Sequence, residues 1–406
     1  MQRALEEIRE ALGHDDVIST DPEDLWAHGY SEWSTTNPDG LPVAVAYPRS
    51  TRDVSILAQI CYKYKVPVIP YSGGSSLEGN FSAPYGGISV DFAFMDKVVQ
   101  FNRDDMDVVV QPSIGWQDLN EQLAKQGSGL FFPIDPVKYG TMKDWVINLT
   151  VVLADGTVIK TRRRPGSLRR ATLKLAVVPE DLSVAVVPFP SIRDAASVAA
   201  EVMQTGIPIA AMEIMDEVQM KVFAGTKSSV RENINQVKRI AKAHKGGEFE
   251  FAKDEQEQKL LWSARKESLW SMLALRKDGE EVWSTDVAVP FSRLADIIEV
   301  SKKEMDDLGL FASILGHIGD GNFHESIIYN RTKKEERDKV EKCVKNMVKR
   351  AIDMEGTCTG EHSVGWGKKD SLLLEVGPDT LGVMRAIKRA LDPHWIMNPG
   401  KIMDVP

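Results

Sequence analysis

Two glycine-punctuated segments constrain this chain more than any other feature. They are Gly316-His317-Ile318-Gly319-Asp320-Gly321-Asn322-Phe323-His324 and, downstream, Gly360-Glu361-His362. Together they hold three of the seven histidines in 406 residues. Glycines interrupt the stretch between His317 and His324, so a loop or a pair of strands has to bring the imidazoles together. The same glycines let the backbone pass close to a ligand. Nitrogen and oxygen donors of this kind suit a divalent ion such as zinc or manganese. The bland alternative is a pair of satisfied histidines at strand ends. Glu361 and His362 are neighbours whose side chains point in different directions. One of them can bind a metal while the other moves a proton, since histidine titrates near neutral pH. For this pair the bland alternative is a capped helix start. Cys358 lies nearby, and a bystander role is the simpler reading.

The pattern around these segments alternates strands with helices. Val43–Ala46, Val66–Pro70, Ile88–Phe92 and Val108–Pro112 read as strands, and 48–64 as a helix. Val146–Lys160 reads as a hairpin turning at Asp155-Gly156. Further on, Leu182–Pro188, Ile207–Ile214, Val282–Val289, Phe311–Leu315 and Phe323–Tyr329 read as strands. Helices are expected at 191–204, 227–245, 260–275, 292–307 and 333–354. This order suggests an α+β sheet with helices on one face. The loop Ser72-Gly73-Gly74-Ser75-Ser76-Leu77-Glu78-Gly79 follows a strand. Successive small residues there can aim several backbone N–H groups at a phosphate, although such loops are also common as plain surface. Arg265, in a helical stretch, can bind a carboxylate in bidentate fashion; an exposed helix arginine is the plainer reading. The arginine-rich run at 162–170 reads as a solvated loop, because the rest of the chain is acidic.

A net charge of −9 argues against broad nucleic-acid binding. Cys61, Cys343 and Cys358 form no CxxC pair, which suggests a reducing compartment. No targeting segment and no bilayer-length apolar run is visible, so any membrane contact would be peripheral.

The Ser72–Gly79 loop, the His317–His324 segment, Gly360-Glu361-His362-Ser363-Val364-Gly365 and the closing Asn398-Pro399-Gly400-Lys401 occur in this order. As a set they resemble the FAD-linked 2-hydroxy-acid dehydrogenases of the vanillyl-alcohol-oxidase (PCMH-type FAD) family, from about residue 20 onward. The resemblance implies an α+β chain with a PCMH-type FAD-binding domain over 38–180, made of two α/β subdomains. A C-terminal FAD-linked oxidase cap domain with an antiparallel sheet and helices is implied over 181–406. It implies FAD along Ser72 to Gly79 and at Asn398, and a divalent metal on His317, His324 and Glu361. His362 becomes the general base, Arg265 the partner of the substrate carboxylate, and Asn322 a substrate or outer contact. The implied reaction is oxidation of D-lactate, or a related D-2-hydroxy acid, to pyruvate. Hydride goes to FAD, and electrons go on to cytochrome c in the mitochondrion. The chain departs from the family after Asp135-Pro136, before Ala171, and near Val222-Phe223-Ala224, where family segments are missing. The FAD domain is therefore expected to be shortened. The alternatives are a truncated, catalytically silent relative that keeps only the metal site, and a metal-dependent hydrolase.

Overall fold

Short β-branched runs bounded by proline and glycine set the strands of the first half, and the spacing of apolar residues sets its helices. The structure, a computed structural model, describes residues 1–13, 15–133, 139–161, 171–207, 209–215, 218–225, 227–266 and 268–406. It divides into two units. One comprises Met1–Ile134, Thr141–Val178 and Val364–Pro406; the other comprises Asp135–Gly140 and Pro179–Ser363.

The first unit contains two small sheets. In one, Ala44–Ala46, Ile88–Asp91 and Val68–Tyr71 run parallel, and Ile18–Ser19 adds an antiparallel edge. Helix Thr51–Tyr64 is the crossover between two of these strands and buries Leu57, Ala58, Ile60 and Cys61. Ser50 caps it, its hydroxyl accepting the Asp53 N–H at 3.2 Å. The second sheet is antiparallel, in the order Val98–Asn102, Asp107–Val110, Ala171–Lys174, Val146–Asn148. The hairpin expected over Val146–Lys160 is shorter than predicted. Only Thr150–Val152 and Val158–Lys160 pair with each other, because Val146–Asn148 joins the second sheet instead. The Asp155-Gly156 turn stands as expected, with Gly156 at φ 83°. Val364–Pro406 groups with this unit through backbone bonds such as Val68 N–H to Ile396 O at 2.8 Å and Asn398 N–H to Val68 O at 2.7 Å. An apolar cavity of about 350 Å³ lies among Val54, Leu57, Ala58, Val90, Phe92 and Val151. The runs around Val137 and at 162–170 lie outside the described residues.

The second unit is built on an eight-stranded antiparallel sheet. Its order is Glu250–Phe251, Asp181–Pro188, Val218–Gly225, Ile209–Met215, Ala312–Gly316, Asn322–Asn330, Glu280–Ser284, and Val287–Ala288 also pairs with Asn322–Asn330. Alternation along Asp181–Pro188 sends Ala185 and Val187 into the larger core, with Val184 and Val186 in a smaller cluster. Helices Ile192–Gln204, Lys227–Ala243, Phe291–Asp306 and Lys334–Asp353 supply the larger core. Leu261, from helix Glu255–Lys266, packs on the smaller cluster. The strand expected at Val282–Val289 breaks at Thr285 and Asp286. Val222–Ala224 lies within strand Val218–Gly225. Among the described residues no helix is long and apolar enough to cross a membrane.

In the first unit, buried His28 donates toward the Asp24 carbonyl at 2.8 Å and faces Asp91 Oδ2 at 3.0 Å. Burial disfavours the charged ring, but the bonds to Asp91 and Asp24 outweigh it, and the pKa is raised. Such a group stabilises the fold fully below its unfolded pKa of roughly 6.5, and the contribution fades as pH rises through the folded value. We expect the stability gap between wild type and His28→Asn, measured by urea unfolding, to be widest below about pH 6.5 and to narrow above it. A gap that does not change with pH would contradict this.

Candidate metal and proton-transfer site

Strands Ala312–Gly316 and Asn322–Asn330 form a hairpin in which Leu315 pairs with His324. Side chains alternate across a strand, so His317, two residues past Leu315, continues the face that carries His324. Phe323 takes the opposite face and is fully buried in the larger core. The glycines permit this hairpin. A Cβ on Gly316 would lie 2.6 Å from Phe323 Cα, and one on Gly321, at φ 81°, would lie 2.2 Å from the Val289 carbonyl oxygen. The ring centroids of His317 and His324 stand 6.2 Å apart.

The loop at 357–363 brings the third group. Glu361 Oε1 lies 3.5 Å from His317 Nε2, 3.2 Å from His324 Nε2 and 3.5 Å from His362 Nε2. One ligand atom from each of His317, His324 and Glu361 falls within 4.8 Å of the others. His324 Nδ1 lies 2.8 Å from the Thr285 carbonyl oxygen, which only accepts, so Nδ1 carries the proton. In the neutral ring, Nε2 then offers a lone pair toward Glu361. His317 Nδ1 is held at 2.7 Å by Glu213 Oε1. Partners of this kind on the far nitrogen fix both the tautomer and the ring orientation of metal-binding histidines.

The electrostatics favour a cation. Burial disfavours a charged His317, but the bonds to Glu213 and Glu361 outweigh it and push its pKa up to about 10. Burial raises Glu361, yet the bonds from His317 and His324 hold its carboxyl well below the usual carboxylate range. Asp320 is raised, chiefly by burial. A proton on His317 supplies one positive charge, and a divalent ion bound in its place requires the ring to be deprotonated. The donor set, its tautomers and its charge fit such an ion.

Asp286, Glu213 and Thr285 were not anticipated from sequence. Asp286 is fully buried and accepts bonds from the loop that carries Glu361. Asn322 is buried, and its Nδ2 donates to Asp286 Oδ1 at 2.8 Å and to the Val287 carbonyl at 3.0 Å. Among the described residues its buried Oδ1 has no protein partner. Arg265 lies on helix Glu255–Lys266, and its side chain falls outside the described residues.

Ser72 to Gly79 belong to the first unit, directly after strand Val68–Tyr71. Gly73, Gly74 and Gly79 have φ of 70°, 62° and 66°. The back of this loop is pinned. The Leu77 carbonyl accepts from the Ser34 hydroxyl at 2.9 Å and the Thr35 N–H at 3.0 Å, and the Gly74 carbonyl accepts from Trp33 Nε1 at 2.8 Å. Glu78 is buried, 3.3 Å from Lys368 Nζ. Among the described residues, the backbone N–H groups of Gly73, Gly74, Ser75 and Ser76 find no protein acceptor. Unpartnered donors at the tip of a pinned loop fit the phosphates of a dinucleotide. Asn398 is bound within the protein, Nδ2 to the Asn80 carbonyl at 2.9 Å and Oδ1 to Lys401 Nζ at 3.0 Å.

Two family descriptions match the chain, an FAD binding domain over residues 42–137 and the C-terminal domain of FAD linked oxidases over 178–230 and 222–402. The chain is 41% identical to a mitochondrial D-lactate dehydrogenase (cytochrome) of Kluyveromyces lactis, across 99% of this chain and 81% of that one. It is 39% identical to a protein of the same name from Arabidopsis thaliana, across 96% of this chain and 78% of that one. The first match spans 473 aligned positions, more than the 406 residues here, so that relative carries internal residues without counterpart in this chain. Among solved structures, 4-ethylphenol oxidase from Gulosibacter chungangensis superposes with a TM-score of 0.80 at 18% identity, across 100% of this chain and 97% of that one. Substrate-bound p-cresol methylhydroxylase superposes with a TM-score of 0.79 at 16% identity, across 99% and 97%. These two establish a shared fold.

Gly360 is a stringent position, since a Cβ there would fall 1.8 Å from Asn322 Nδ2 and 2.8 Å from Asp286 Oδ1. Gly360→Ala is expected to cost about 1–3 kcal/mol in urea unfolding. Gly382→Ala, whose Cβ would meet nothing within 4 Å, is expected to be neutral or to stabilise by up to about 1 kcal/mol. Equal effects of the two would contradict the crowding of Gly360.

Proposed function

Because this chain belongs to the FAD-linked oxidases, and groups there with the mitochondrial D-lactate dehydrogenases (cytochrome), we propose that it oxidises D-lactate, or a close D-2-hydroxy acid, to the 2-oxo acid. It is an FAD-dependent oxidoreductase. Bound FAD supplies the acceptor for the hydride that leaves C2. The observation that carries the site assignment is the convergence of His317, His324 and His362 on one carboxylate oxygen of Glu361.

His317 Nε2, His324 Nε2 and Glu361 would hold a divalent ion, zinc or manganese, which lowers the pKa of a coordinated hydroxyl. His362 is the proton acceptor. Its Nε2 faces the ligand carboxylate at 3.5 Å, and its ring centroid lies 5.6 Å from that of His324. It therefore stands beside the place where a bound hydroxyl loses its proton. Asn322 Oδ1, a buried acceptor without a protein partner among the described residues, supports a contact to substrate or to a bound water. Arg265 is proposed to hold the substrate carboxylate. The N–H groups of residues 73–76 would take the FAD pyrophosphate within the 38–180 domain, Asn398 would brace that loop region, and 181–406 would carry the substrate. Cytochrome c as acceptor and the mitochondrion as location are inferred from the names of the relatives. The acidic balance of −9 favours a basic partner.

The test is the visible spectrum of the purified chain with added FAD. A flavin spectrum that bleaches with D-lactate and not with L-lactate is the expected result. A chain that holds metal but takes up no flavin would favour a redox-silent relative. His362→Ala should slow flavin reduction by roughly 10²–10⁴-fold with metal content unchanged, and wild-type kinetics would remove it from the base role. Glu361→Gln should lose the metal; full retention would exclude ligation.

A further inference from the structure

The cluster depends on side chains from separate segments meeting in one place, and one buried carboxylate links those segments. Asp286 is fully buried. It accepts the backbone N–H of Gly360 at 2.9 Å, of Glu361 at 3.1 Å and of His362 at 2.9 Å. It also accepts the Thr359 hydroxyl at 2.7 Å and Asn322 Nδ2 at 2.8 Å. Its Oδ1 is 3.8 Å from His324 Nδ1, beyond bonding distance, and His324 Nδ1 binds the carbonyl of adjacent Thr285 at 2.8 Å. The Thr285 hydroxyl accepts the Glu325 N–H at 2.7 Å. Thr285 and Asp286 are the two residues at which the chain leaves the sheet, between strands Glu280–Ser284 and Val287–Ala288.

A carboxylate buried this deeply is tolerated only when donors surround it. Here three consecutive backbone N–H groups do so, and two of them belong to the ligand Glu361 and the proton acceptor His362. We propose that Asp286 is a positioning residue that clamps the 359–362 loop, setting where Glu361 and His362 present their side chains without touching substrate or ion itself. This rests on the roles given to Glu361 and His362 above. An asparagine has nearly the same shape but only one acceptor oxygen, and its NH₂ would face the backbone donors.

The test uses the full chain and two readouts, Mn²⁺ affinity by electron paramagnetic resonance and hydrogen exchange of the loop amides. Asp286→Asn should weaken Mn²⁺ binding by about 10- to 100-fold. It should also speed exchange at Gly360, Glu361 and His362 by about tenfold or more relative to strand Ile209–Met215. Glu213→Gln should weaken Mn²⁺ binding while leaving loop exchange unchanged, because Glu213 binds His317 Nδ1, on the hairpin rather than on the 359–362 loop. Asp286→Asn with wild-type loop exchange would overturn the proposal, whatever its Mn²⁺ affinity. If Asp286→Asn does not fold, Thr359→Val removes one donor and keeps the carboxylate. Severalfold faster loop exchange then supports the clamp, and unchanged exchange overturns it. A wild-type chain that binds no Mn²⁺ would defeat the metal reading of the previous subsection, while loop exchange would still decide the clamp.

Discussion

One carboxylate oxygen, Glu361 Oε1, faces three imidazole nitrogens within 3.5 Å, and much of the second unit keeps it there. The hairpin delivers His317 and His324 on one face because its two strands pair with Leu315 opposite His324. The other face of that hairpin is anchored by fully buried Phe323 in the larger core. A one-residue slip would exchange the two faces, burying imidazoles among aliphatic side chains and exposing the phenyl ring. Core packing and site geometry are therefore enforced by the same register.

The charge distribution gives the site its preference. Glu213 and Glu361 flank His317, and their pull is strong enough to overcome the burial that would otherwise empty the ring of its proton. Four acidic side chains, Glu213, Asp286, Asp320 and Glu361, surround or support three imidazoles. Asp286 differs from the others, because its charge is met by backbone donors. The negative charge left facing the imidazoles belongs to Glu213 and Glu361, which suits a cation shared between rings and carboxylate.

The imidazoles and the carboxylate that cluster were legible in the sequence and their supports were not. His317, His324, Glu361 and His362 announce themselves by residue type among glycines in a chain with few histidines. Asp286 sits in a run that reads as continuous strand, and its partners lie 36 and 73 to 76 positions away. Nothing local marks a residue whose partners are that distant. The same limit explains the strand break at Thr285–Asp286, which follows from tertiary bonds to Glu325 and the 359–362 loop rather than from any breaker residue. Val146–Asn148 left its expected hairpin for a comparable reason, since Ala171–Lys174 offers it a place in a larger sheet. Helix Lys369–Leu391 carries no continuous helical signal in the sequence, since Gly377-Pro378 interrupts it, and Gly377 departs from helical geometry at φ 77°.

The first unit poses a different balance. Its Ser72–Gly79 loop is held from behind by Ser34, Thr35 and Trp33, so the N–H groups that find no acceptor among the described residues are pre-arranged rather than assembled on binding. Preorganisation of that kind lowers the ordering cost of capturing a ligand. Against it stands a shortened sequence, and beside helix Thr51–Tyr64 lies a partly open apolar pocket of about 350 Å³. Val151 lines that pocket, in a segment between two of the points where the resemblance leads one to expect missing family segments, after Pro136 and before Ala171. A polar grip on phosphate needs backbone donors, which residues 73–76 offer among the described residues, whereas the apolar enclosure of a ring system needs bulk around it. In the proposed reading, retention of FAD rests on how far the loop's backbone donors make up for the segments that the relatives carry and this chain lacks.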